Sequence, residues 1–201
     1  MEEPGTKSSP RDRIVDTATA LFRKHGIRGI GVDAIVEAAG TNKMTLYRHF
    51  GSKDELVAEC IRGQAAHADE KWAKLACEYP NDPVGQLGGW IKMVANYICT
   101  EVHGCDLVNT AIELHEDEHP ARAVIAEFKT VHLRKLAEVC RAAGAADPEL
   151  LANTLYMLME GARVSRQING ADGPSARFMR VAEAAVAASI AAGVAGAAEV
   201  G

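Results

Sequence analysis

Apolar residues in the N-terminal quarter of the chain recur at helical spacing. Ile14, Val15, Ala18, Leu21 and Phe22 fall on one face of a segment that opens at Ser9-Pro10 and closes at Gly26. Ser caps a helix start, Pro fits the first helical position and Gly suits the residue just past the end, so a helix is expected to about His25. Val32, Ile35, Val36 and Ala39 stripe a second, short helix that Gly40 stops. Asn42 can cap a third, "KMTLYRHF", which Gly51 closes. Ser52-Lys53-Asp54-Glu55 then has the S-x-x-E form of a capping box and opens a fourth helix running to about Cys77.

The helical rhythm continues through the remaining chain. Asp82-Pro83 caps a helix to about Glu101, and another restarts from about Asp106 to His115. Pro120 begins a long helix to about Ala143, and Asp147-Pro148 caps one that ends near Asn169-Gly170. An Ala-rich helix over about 174–192 comes last. Runs of β-branched residues are few, and Ala, Leu, Met, Glu and Arg favour helix. The expected fold is all-α, with about nine helices. A disordered arm over 1–8 precedes a three-helix helix-turn-helix head over 9–56. A long helix joins that head to a helical bundle over 57–201.

Composition changes this picture in two places. The net charge of −5 is unevenly spread. Residues 1–53 hold nine Lys/Arg against six Asp/Glu, a surplus of +3, and the rest holds thirteen against twenty-one, or −8. A basic head on an acidic body can bind a polyanion through the head alone. The five cysteines, at 60, 77, 99, 105 and 140, are odd in number and include no C-x-x-C pair. That suits reduced thiols, and with no apolar signal segment at the N-terminus a cytoplasmic protein is expected. No bilayer-spanning segment is expected either, because Gly193 and Gly196 interrupt the weakly hydrophobic tail.

The stretch "TNKMTLYRHFGSKDEL" carries the candidate chemistry. Two short helices joined by a Gly-containing turn make a helix-turn-helix candidate, whose second helix enters the DNA major groove. Leu46 and Phe50, four residues apart, define the buried face. At about 100° per residue, Met44 and Arg48 lie nearly opposite Leu46, with Thr45 and Tyr47 flanking. Arg48 can pair in bidentate fashion with guanine, and Met44 can touch a thymine methyl. Thr45, Tyr47 and His49 can donate to phosphate oxygens, and Lys53 sits where helix N–H groups and a cation can jointly hold one. The plainer reading is an amphipathic helix whose wet face is polar by default.

"AIVEAAGTNKMTLYRHFGSKDEL" resembles the signature of TetR-family, tetracycline-repressor-like, transcriptional regulators. The matching positions are Ile35, Ala38 or Ala39, Gly40, Lys43, Thr45, Leu46, Tyr47, His49, Phe50, Lys53 and Leu56, and the likeness covers about residues 11–57. Thr41 stands where the family has a small apolar residue, and Asn42 where it has Ser, although both Asn and Ser cap well. Gly31 replaces a Ser or Thr that caps the second helix and can bind phosphate; Arg28 is the candidate to compensate. The resemblance implies a DNA-binding set of Arg28, Asn42, Lys43, Met44, Thr45, Tyr47, Arg48, His49 and Lys53. It also implies a homodimer reading a pseudo-palindromic double-stranded operator, with half-sites about one helical turn apart, roughly 34–36 Å.

In this family the last two helices pair with their twins. Leu151, Leu155, Leu158, Met159 and Ala162 stripe one side of the penultimate helix, and Ala182, Ala185, Val186 and Ser189 offer a close-approach face on the last. Those residues are the expected dimer interface; the same stripes also suit an intramolecular core. A small-molecule effector of unknown identity, mostly apolar, is expected in the body. Trp90, Val94, Tyr97, Ile98, Leu107, Val108, Ala111, Phe128 and Leu155 are its candidate lining, with Asn109, Glu113 and His132 as polar handles. The same apolar residues suit ordinary core. "HGCDLVNTAIE" is similar to a Gly-Cys-x-x-x-Asn-x-Ala-x-Glu segment in a subset of TetR-like regulators.

Two other effectors are conceivable. His103, Cys105, Glu113, His115, Glu116, His119 and His132 include metal-ligand types, although "HEDEH" reads first as a solvated acidic loop. Cys99 and Cys105 flank a predicted helix break and could form a redox pair. Neither a cofactor nor a resident metal is expected. No Gly-rich phosphate loop, H-E-x-x-H or G-x-S-x-G occurs, so an enzyme is disfavoured.

Overall fold

The computed structural model describes residues 9–101, 104–115 and 118–200. The expected arm at 1–8 and the candidates His103 and Glu116 lie outside them. Among the described residues there are nine α-helices, one 3-10 turn and no strand: α1 Pro10–His25, α2 Val32–Ala38, α3 Lys43–Phe50, α4 Lys53–Glu78, α5 Pro83–Thr100, α6 Asp106–Glu113, α7 Pro120–Ala142, α8 Pro148–Asn169, the turn Pro174–Arg177, and α9 Phe178–Val200.

Helix ends follow the local chemistry of the sequence. The side chains of Ser9, Asn42, Asp82 and Asp147 accept from the backbone N–H groups of Asp12, Thr45, Gly85 and Leu150, each satisfying a donor that the first helical turn leaves open. Ser52 Oγ likewise accepts from Glu55 N at 3.0 Å. α2 begins at Gly31 with no side-chain cap, as its sequence implies.

The chain divides into two compact units. The first comprises residues 1–67 and 106–126, and the second residues 68–105 and 127–201. In the first, Ile14, Ala18, Ile30, Ile35, Val36, Ala39, Leu46, Phe50, Leu56 and Cys60 form one apolar cluster in which α1, α2 and α3 pack on one another. In the second, α8 packs on α9, and α5 packs against both. Trp90, Leu87, Leu136, Cys140, Leu155 and Ala182 sit at its centre.

The last helix departs from expectation. α9 begins at Phe178, after a 3-10 turn, and runs on to Val200 without stopping at Gly193 or Gly196. Gly193 is needed for contact rather than for termination. A Cβ there would lie 2.3 Å from the carbonyl oxygen of Gly144, and nearby Ala146 N donates to Ser189 O at 3.1 Å. The segment Pro174–Gly196 is, by length and composition, long and apolar enough to cross a membrane, contrary to the sequence expectation. Its Ala content raises the mean hydropathy while Ala side chains remain too small to bury much surface.

Candidate nucleic-acid interface

α3 is the second helix of a helix-turn-helix. α2 ends at Ala38, Gly40 turns the chain with φ +62°, and Thr41 N donates back to Val36 O at 2.9 Å. Asn42 then caps α3 through Thr45 N. The buried face is Leu46 and Phe50, packed into the first unit's core. Arg48 and His49 are exposed, Met44 is 80% exposed and Tyr47 is 46% exposed, while Thr45 is half-buried.

The cations around α3 are held in different ways. Lys43 Nζ lies 2.8 Å from Asp33 Oδ1, and that hydrogen bond raises its pKa. Lys53 Nζ donates to Ile27 O at 2.6 Å and lies 6.0 Å from the centre of the Phe22 ring. An ammonium has three N–H donors, so this bond leaves two. Lys53 therefore ties α4 to the loop between α1 and α2. Arg11 brackets the same head, its Nη2 2.5 Å from Glu59 Oε1 and its guanidinium 5.5 Å from the Phe50 ring centre. Arg11 lowers the pKa of Glu59.

The α1–α2 loop is gripped from α6. Glu113 Oε2 accepts from Ile27 N at 2.9 Å, and Oε1 accepts from Arg28 N at 2.6 Å. Gly26 makes room: with φ +76° it carries no side chain where a Cβ would come within 3.1 Å of the carboxylate. A cavity of about 160 Å³ lies beside this contact, walled by residues of α1, α4 and α6 that include Phe22, Arg23, Cys60, Gln64, Asn109 and Glu113. Burial pushes the Cys60 thiol up to about 11, so it is unreactive at neutral pH.

The candidate effector residues fall in both units. Leu107, Val108, Asn109, Ala111 and Glu113 belong to the first, and Asn109 and Glu113 line the cavity just described. Trp90, Val94, Tyr97, Ile98, Phe128, His132 and Leu155 belong to the second. Trp90, Val94, Ile98 and Leu155 are core there, and Phe128 and His132 are in ring contact at 5.6 Å. Tyr97 Oη donates to Gly104 O at 3.3 Å.

The expected dimer residues have packing partners within the chain itself. Leu151, Leu155, Met159, Ala162, Ala182 and Val186 are buried in the second unit's own core, with Leu158 and Ala185 packed against it and Ser189 half-buried. α8 carries a second apolar stripe, and that one is exposed: Leu150, Met157, Val164 and Ile168. With Thr154 and Gly161 between them these positions follow alternating four- and three-residue steps, the spacing of a helix–helix seam. α9 adds exposed Met179, Val181 and Val194. Helical periodicity shows that two stripes exist, but not which one meets the chain's own core.

Among the described residues no group of three His, Cys, Asp or Glu side chains is placed to hold a metal ion. His119 is buried, its Nδ1 accepting from Ala121 N at 3.1 Å and its Nε2 3.5 Å from Asp54 Oδ1. Cys99 is exposed and Cys105 buried, both as free thiols.

This geometry defines the class: an all-α protein with an N-terminal helix-turn-helix whose second helix presents a polar, solvent-facing side. The family model for bacterial regulatory proteins of the tetR family matches residues 14–60. Curated relatives agree. The chain is 35% identical over 85 residues to the HTH-type transcriptional repressor SCO4008 of Streptomyces coelicolor, covering 42% of this chain and 40% of that protein. It is 27% identical over 135 residues to the repressor KstR2 of Rhodococcus jostii, covering 67% and 61%. These two alignments thus span less than two thirds of either relative. Among solved structures, SCO4454, a TetR-family regulator of Streptomyces coelicolor, superposes with a TM-score of 0.82 at 23% identity, over 90% of this chain and 96% of that one. A TetR-type regulator of Streptomyces avermitilis superposes at 0.71 with 29% identity, over 89% and 98%. Residues 14–60 carry the head of the tetR family of bacterial regulatory proteins, and the chain shares the fold of the TetR-type regulators with which it superposes.

Proposed function

We propose that the protein is a cytoplasmic, homodimeric repressor that binds a pseudo-palindromic operator through α3 and is released by a small, mostly apolar effector. The observation that carries the reading is the division of α3 into a buried Leu46–Phe50 face and an outward Met44–Arg48 face. Arg48 reads guanine and Met44 meets a thymine methyl. Lys43, Thr45, Tyr47, His49, Lys53 and Arg28 contact phosphates and set the register. Asn42 holds the N-terminus of α3 by accepting from Thr45 N. The exposed α8 stripe and the apolar side of α9 supply the twofold contact, since closed twofold dimers are the common oligomer. The relatives named as repressors support the direction of control.

An effector acts by binding two conformations unequally. Salt tests the DNA reading. Binding to duplex from the protein's own upstream region should weaken steeply as salt rises, because phosphate contacts release counterions. Absence of binding to that duplex at low salt would remove the repressor reading.

A further inference from the structure

Three buried N–H donors in the second unit meet no acceptor among the described residues: Trp90 Nε1, His132 Nε2 and Arg163 Nε. Trp90 is wholly buried, at 0% exposure. The His132 proton can be placed. Trp72 Nε1 donates to His132 Nδ1 at 3.0 Å, so Nδ1 is the bare nitrogen and Nε2 carries the hydrogen. Burial, reinforced by the charges of Arg163, Lys129 and Lys135, lowers the His132 pKa to about 4, so the ring is neutral at physiological pH.

These donors share one aromatic neighbourhood. The His132 ring centre lies 5.4 Å from that of Trp72, 5.6 Å from Phe128, 6.1 Å from Tyr156 and 6.4 Å from Trp90. The Arg163 guanidinium lies 4.8 Å over the Tyr97 ring. Lys129 Nζ donates to Glu160 Oε1 at 3.0 Å and to the Tyr156 hydroxyl at 3.2 Å, and Arg163 Nη1 is 3.6 Å from the same Glu160 oxygen. Lys129 and Arg163 against Glu160 leave one positive charge unbalanced in this group. Lys135 is matched by Asp69, at 2.5 Å.

Each buried donor without an acceptor is destabilising. A water has only two lone pairs to offer three donors, whereas a carboxylate has about four acceptor positions. A metal ion is a poor fit, because one His132 nitrogen is already bonded and the other is protonated. An organic cation would leave the three N–H donors without an acceptor. We propose that α5, α7 and α8 form a binding site for a small organic acid, whose carboxylate accepts from Trp90, His132 and Arg163 while its apolar body lies against the Phe128, Tyr156 and Trp72 rings. This rests on the reading of the body as the effector-binding part and narrows the effector's class.

The two tryptophans of the chain, Trp72 and Trp90, both belong to this cluster, so intrinsic fluorescence reports on it directly. The 201-residue chain is titrated with sodium benzoate, sodium octanoate, benzyl alcohol and benzylamine, without DNA. At least one carboxylate should shift the fluorescence at about tenfold lower concentration than benzylamine, the ratio expected for a hydrogen bond to a charged group. The same carboxylate should raise the melting temperature while benzylamine does not. Trp90→Phe, which keeps the ring and removes the N–H, and Arg163→Met should each weaken carboxylate binding several-fold with a cooperative melt retained. Equal response to acid and amine, no response to either acid, or carboxylate binding undiminished in both variants would overturn the site. Should a variant fail to melt cooperatively, the wild-type comparison of acids with amine decides. Acid binding by a protein that holds no duplex at low salt would overturn the repressor reading and leave this site standing. Duplex binding without acid preference would do the reverse.

Discussion

Glu113 holds Ile27 and Arg28 by their backbone, one carboxylate oxygen to each N–H, at 2.9 and 2.6 Å. The acceptor comes from the end of α6 and the donors from the loop between α1 and α2. A carboxylate on two backbone donors is a strong, charge-assisted arrangement. The same loop offers the Ile27 carbonyl to Lys53 at the start of α4. One turn of chain beside the reading head is thereby tied to two helices, and its position depends on both.

Glu113→Ala should lower the stability of the folded protein by about 1 kcal/mol, since it strands the Ile27 N–H while water reaches that of exposed Arg28. Chemical denaturation reads this. Operator affinity should fall too, through disorder at Arg28. Stability within a few tenths of a kcal/mol of wild type would show the grip to be incidental.

Arg48→Ala should cost about 1–3 kcal/mol on the operator and much less on random duplex, because only a base contact carries sequence information. Lys53→Ala should weaken both by a similar factor and also lower stability, as the bond to Ile27 is lost. Competition binding on the two duplexes separates the cases. Equal losses for Arg48→Ala on both would assign it to the phosphates.

On α8, Met157 is 65% exposed and Ile168 is 74% exposed, on the stripe opposite the core. A Met157→Glu, Ile168→Glu double variant should sediment as a folded monomer at concentrations where wild type is dimeric. Leu155→Glu, at a buried position, should instead fail to fold. A double variant that remains dimeric would move the twofold contact elsewhere.

His132 gives the stability a pH dependence of definite sign. Its folded pKa of about 4 lies below the ordinary 6.5, so between those values the unfolded chain binds more protons. Stability from this group is fully present above pH 6.5 and is lost as pH falls toward 4, by about 3 kcal/mol in total. Protonation also removes the acceptor that Trp72 uses. His132→Gln should flatten the pH–stability curve in that window relative to wild type; identical slopes would show that other groups dominate.

The thiols should separate by burial. Cys77 and Cys99 are exposed, whereas Cys60, Cys105 and Cys140 are buried, with Cys60 and Cys140 pushed up to about 11 by burial. A thiol reagent at neutral pH should label Cys77 and Cys99 quickly and the rest only on denaturation. Rapid labelling of Cys60 would mean that the α1–α4 packing opens readily.

The sequence by itself determined the helices, their caps and the inward face of the head. Ser9, Asn42, Ser52, Asp82 and Asp147 satisfy nearby N–H groups within their own first turns, and Leu46 with Phe50 can face only one way once α3 is helical. Those are local interactions, legible from spacing and side-chain chemistry. Tertiary structure decided the rest. It chose which of two apolar stripes on α8 became core and carried α9 through Gly193 against Gly144. It set Glu113 on a backbone more than eighty residues away in sequence, and it left Trp90, His132 and Arg163 with donors unmet. None of these is encoded in periodicity, because each depends on residues distant in sequence meeting in space, where one buried bond or its absence outweighs any local preference.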